Sequence, residues 1–152
     1  MKGARFLASI ALAGVAIGGC GSDRVKVNNA YVDQASAVIK RFEDRFQATQ
    51  ADLAATQTPA QNRAMLRTLE TAVTQAANGL AAVNAPTVVA DLHAGLVREV
   101  RAYGNAITRM DRQLGSKDPR KVLTARSDFA KTLSTITAKI VGTMTAINKR
   151  LK

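Results

Sequence analysis

The sequence predicts an all-α protein, an antiparallel up-down-up-down four-helix bundle that follows a short apolar N-terminal segment. Three observations carry this. Four stretches of similar length repeat apolar residues at steps of three and four, the spacing of one helix face. The three prolines, Pro59, Pro86 and Pro119, each fall where a new stretch begins. Strand-type alternation is absent, aromatics are only 4% of residues, and small side chains suited to close helix packing abound.

The N-terminal segment sets the context. Lys2 and Arg5 precede an apolar run from Phe6 to Ile17, and small residues lead into Cys20, the single cysteine. A bilayer span takes roughly 20 apolar residues in a helix. This run is shorter and is broken by Gly14, so residues 1–19 read as a secretory signal peptide. Its ending, Ile17-Gly18-Gly19-Cys20, resembles the lipobox of bacterial lipoproteins. The resemblance covers residues 1–20 only. It implies cleavage before Cys20, a diacylglyceryl group on its sulfur and an acyl chain on the new amino group. It also implies export and attachment to the extracytoplasmic side of a bacterial membrane. In two-membrane hosts, Gly21 is not the aspartate that retains some members of that family at the inner membrane. No family with a known activity is apparent for the remaining 133 residues, enough for one domain with its own core.

Residues 20–28 read as the lipidated cysteine and a short tether. The bundle is expected over 29–152, with helices over about 29–56, 59–84, 86–114 and 118–151. In the first, Tyr31, Ala35, Val38, Phe42, Thr49 and Leu53 share a face that Ile39 and Phe46 widen. Thr58-Pro59-Ala60-Gln61 has the form of a capping box and opens the second, whose stripe is Leu66, Leu69, Val73, Ala76, Leu80 and Val83. Pro86 suits the first helical position of the third, which carries Val89, His93, Leu96, Val100, Tyr103, Ile107, Met110 and Leu114. Gly115 is expected to end it with a left-handed cap. Asp118-Pro119 opens the fourth, with Val122, Phe129, Leu133, Ile136, Ile140, Met144, Ile147 and Leu151. Gly79, Gly95, Gly104 and Gly142 lie inside helices, where each costs up to about 1 kcal/mol against alanine. Close helix contact is the expected reason for all four.

The charge is strongly basic, +11 for the whole chain and +9 without residues 1–19. It is uneven: residues 117–152 hold nine bases and two acids, whereas residues 20–58 balance. Lys149, Arg150 and Lys152 at one end of the fourth helix, and Lys117, Arg120 and Lys121 at the other, are the candidate contacts for an anionic surface. The first three also suit the negative end of the helix dipole. Candidate partners are anionic lipid, an envelope polymer or a protein docking on an outward face or on the loops near Gln57 and Lys117. Nucleic acid is not expected, since stacking aromatics are scarce.

Catalytic patterns are missing. The serines lack a Gly-x-Ser-x-Gly setting, the acids form no acid/base pair, and no Glu-x-x-His or Cys-x-x-Cys-His occurs. His93 is the single histidine and lies on an apolar stripe, where a core role is the plain reading. Non-covalent haem held by His93 with Met65, Met110 or Met144 is the one cofactor arrangement the residues allow. Tyr31 and Tyr103 read as core residues with hydroxyls near the rim. No metal, no cofactor beyond the covalent lipid and no enzymatic activity are expected. The function read from the sequence is a lipid-anchored envelope protein, a non-enzymatic binding or structural module. The alternative is a small-ligand carrier with a cavity between the helices.

Overall fold

A computed structural model of the chain describes residues 23–54 and 58–152. Among them the chain is helical: α1 Asp23–Ala54, α2 Pro59–Ala81, a 3-10 turn Thr87–Val89, α3 Ala90–Leu114 and α4 Pro119–Leu151. The four helices pack against one another, α1 on α2, α2 on α3 and α3 on α4.

Two predicted starts are built as the sequence implies. Thr58 Oγ1 accepts from the Gln61 backbone N–H at 3.3 Å, while the Thr58 backbone N–H donates to Gln61 Oε1 at 3.1 Å. Asp118 Oδ1 accepts from the Arg120 backbone N–H at 2.9 Å, with Pro119 in the first turn. Each box occupies backbone donors that have no partner inside the helix.

Other boundaries depart from expectation. α1 begins at Asp23, so residues 23–28, expected as tether, are helical. No glycine or proline after Gly21 interrupts propagation, and Asn28 Nδ2 donates to the Leu151 carbonyl at 3.2 Å, tying this end of α1 to the end of α4. Pro86 is not the first residue of the third helix. Its ψ of 144 is extended, and its carbonyl accepts from the Val89 N–H to close the 3-10 turn that leaves Val89 fully buried. α2 ends at Ala81, three residues before the expected limit. Gly115 closes α3 at φ −76, an ordinary right-handed conformation, so the left-handed cap is not used. The expected α1 limit at 56 lies outside the described residues, as do the side chains of Thr49 and Leu53.

All six α2 stripe positions are buried. They divide between two apolar clusters. Tyr31, Ala35, Leu80, Val89, Leu96 and Ile147 belong to one; Leu66, Leu69, Val73, Ile107, Met110 and Ile136 belong to the other. Each large aliphatic side chain buried this way contributes about 1.5–3 kcal/mol. The α4 stripe is buried less completely: Val122, Phe129, Leu133 and Ile140 remain half-exposed.

The glycines differ. A Cβ on Gly79 would sit 3.1 and 3.2 Å from the Val38 methyls, so α1 and α2 approach through this gap. A Cβ on Gly104 would meet Val73 at 3.4 Å, while Gly95 faces only a distal Arg98 nitrogen and Gly142 faces open space. Close helix contact therefore explains Gly79 and, more mildly, Gly104; it does not explain the other two. Gly142→Ala is expected to stabilise the fold by about 0.5–1 kcal/mol through helix propensity. Gly79→Ala should destabilise it by about 1 kcal/mol through overpacking. Thermal melts followed by circular dichroism check both, and equal shifts of one sign would contradict the assignment.

Candidate functional site

Cys20 and the residues before it, Ile17, Gly18 and Gly19, lie outside the described residues, as does Gln57. Where described residues approach that segment, α1 starts beside the end of α4 through the Asn28–Leu151 hydrogen bond.

The same end of the molecule holds a buried polar network. His93, 7% exposed, stands in the first turn of α3. Its Nε2 lies 2.9 Å from the Leu80 carbonyl in the last turn of α2, and its Nδ1 lies 3.1 Å from the Tyr31 hydroxyl on α1. A carbonyl only accepts, so in the neutral ring Nε2 carries the proton, Nδ1 presents a lone pair and Tyr31 donates. The rings meet edge to face at 78° with centroids 5.5 Å apart. Burial pushes the Tyr31 phenol up to about 12 and raises that of Tyr103. The Tyr31 hydroxyl is thus not at the rim, as its residue type implied, but inside, joining three helices.

Both ring nitrogens of His93 are engaged in hydrogen bonds within the bundle. Among the described residues no group of three or more His, Cys, Asp or Glu side chains is placed to hold a metal ion. The acids serve as ties between helices. Arg63 Nε donates to Asp111 Oδ1 at 3.0 Å, and this hydrogen bond, with the nearby charges of Arg63 and Arg67, holds the Asp111 carboxyl below its usual range. Thr108 donates to Glu70 at 2.6 Å and Thr143 to Glu99 Oε1 at 3.1 Å; Glu99 Oε2 is buried without a hydrogen bond.

The six candidate surface cations are exposed but do not form one patch. Lys117, Arg120 and Lys121 stand at the start of α4, Lys149, Arg150 and Lys152 at its end. Arg150 is already engaged: Nη1 donates to both Asp91 oxygens at 2.8 and 3.0 Å. That hydrogen bond, with a backbone N–H at Leu92, lowers the Asp91 carboxyl. Two cations outside the expected groups, Lys131 and Lys139, are also exposed on the outer side of α4. Neither lies at a helix end, although the 18-residue spacing of each from Lys149 or Lys121 is readable in the sequence.

A groove of about 270 Å³ lies between α1 and α2, floored by Val38, Phe42, Ala76 and Gly79 and rimmed by Arg41 and Arg45. It is open on one side and falls short of the roughly 300–1,000 Å³ typical of small-ligand sites. No described helix is long and apolar enough to cross a membrane. The chain matches no family model, no curated protein and no solved structure.

Proposed function

We propose that this chain is an exported, lipid-anchored protein of the bacterial cell envelope, held through acylated Cys20 and acting as a non-enzymatic binding or structural module. In this reading the body is an antiparallel up-down-up-down bundle whose basic fourth helix faces an anionic envelope component or a protein partner. The observation that supports it most is the meeting of the first turns of α1 with the last turn of α4, at Asn28 and Leu151. It brings the first turns of α1 to the end that carries exposed Lys149 and Lys152. A single acyl chain binds a bilayer only marginally; two or more hold it firmly. The carrier alternative draws no support from the small, solvent-open groove between α1 and α2.

Metabolic labelling with an alkyne fatty acid tests the anchor. The native chain should take up label and fractionate with membranes, and Cys20→Ala should lose both. Unlabelled native protein in the cytosol, with residues 1–19 retained, would end this reading.

A further inference from the structure

We infer that the outer face of α4 docks lengthwise on an anionic lipid bilayer. The inference rests on the reading that the basic fourth helix faces an anionic component, and it selects among those components.

The face is built from three lines of residues. Arg120, Lys131 and Lys149 are separated by 11 and 18 residues, about three and five turns at 3.6 residues each, so they share one line along the helix. That line lies opposite the one carrying buried Ile147 and half-buried Phe129. Lys121 and Lys139, also 18 residues apart, form a second line on one flank. On the other flank stand Leu123 and Val141, again 18 apart, 66% and 41% exposed. Among the described residues none of the five cations has an ion-pair partner, unlike Arg150. Asp128 is the single acid within α4. The residues between the cations include Thr124, Ser127, Thr135, Gly142 and Thr145, too short to hold a flat surface away.

The exposed apolar pair decides the partner. A soluble polyanion would satisfy the five cations and leave Leu123 and Val141 in water. A bilayer supplies phosphates to the cations and, just beneath them, an apolar boundary for both side chains. Among the described residues three large apolar side chains are exposed; two are these, and the third, Val27, is near the N-terminal end of α1. From Arg120 to Lys149 the face runs about 44 Å at 1.5 Å per residue. A bundle tied at one end can therefore lie along the surface, with contacts spread over the whole of α4.

The test uses the full chain carrying Cys20→Ala, which removes acylation, with phosphatidylglycerol/phosphatidylcholine vesicles against pure phosphatidylcholine. The apolar run of residues 6–17 is present in every variant. Cosedimentation should be tighter on the anionic vesicles and weaken with salt. Lys131→Glu with Lys139→Glu should weaken it by about tenfold or more. An equal charge change on α3, Arg98→Glu with Arg101→Glu, should have a much smaller effect. The chain has no tryptophan, so Leu123→Trp is a clean reporter. Its emission should shift to the blue and be quenched by brominated acyl chains, while that of Thr74→Trp on α2 stays unchanged. Equal losses for the two charge pairs, or a Leu123→Trp signal that does not move on bound vesicles, would overturn the proposal. So would binding to soluble polyglycerol phosphate or an acidic protein with none to vesicles. Because acylation is absent, failure of this surface leaves the anchor intact, and failure of the anchor leaves this result intact.

Discussion

Tyr31→Phe and His93→Leu will each destabilise the fold, and the double variant will lose less than the sum of the two. In the native protein the Tyr31 hydroxyl donates to His93 Nδ1, and His93 Nε2 donates to the Leu80 carbonyl. Tyr31→Phe strands a lone pair on a ring that is 7% exposed, at a cost of about 1–3 kcal/mol. His93→Leu strands the Tyr31 hydroxyl. It also removes one donor from the Leu80 carbonyl, which keeps the Val83 N–H at 3.0 Å. With the altered ring packing, about 2–3 kcal/mol should be lost. The double variant replaces both partners with apolar groups, so no polar atom of the pair is left stranded. Its loss should fall short of the sum by about 1–2 kcal/mol. Against a total stability of about 5–15 kcal/mol, either single change is large. Urea denaturation of the four proteins measures the cycle, and strict additivity would show that the 3.1 Å contact carries no stability.

That network shows where sequence reasoning stops. The three-and-four spacing places His93 on the buried face of α3 and Tyr31 on that of α1, and both are buried. Their pairing spans 62 positions in the chain, and no local pattern encodes it. Helix starts follow the same rule. The Thr58 and Asp118 caps are closed by residues two or three positions away, so their geometry was written in the local sequence. The start of α1 was not, since what holds it is the Leu151 carbonyl, 123 positions distant.

The glycines and the surface cations repeat the lesson. Gly79 and Gly142 look alike in a helical stretch, yet only Gly79 has a neighbour, Val38, pressed against the missing side chain. Arg150 and Lys149 look alike as terminal cations, yet Asp91 on α3 holds Arg150. Net charge marks α4 as the most basic helix. Which of its cations remain unpaired depended on what stands across from each.

Raising the pH above about 10 will erode stability, and Tyr31→Phe will reduce that dependence. A phenol has an ordinary pKa of 10.0 in the unfolded chain, while burial raises Tyr31 to about 12 in the folded one. Below pH 10 the phenol is neutral in both states and its contribution is fully present. Between the two values the unfolded chain releases its proton and the folded chain keeps it, so stability falls by about 1.4 kcal/mol per pH unit. By pH 12 about 2.3 kcal/mol should be gone, and Tyr103, raised by burial as well, adds in the same direction. Every other group is common to the two proteins and cancels in the difference. At neutral pH native protein should be the more stable of the two by the cost of the lost hydrogen bond. The gap should narrow as the pH rises, by about 1.4 kcal/mol at pH 11, and it closes where that loss equals the cost of the hydrogen bond. Urea titrations at stepped pH, with tyrosinate absorbance as a second signal, measure this narrowing. A gap that stays constant from pH 8 to pH 12 would mean that the Tyr31 hydroxyl ionises as readily in the folded chain as in the unfolded one.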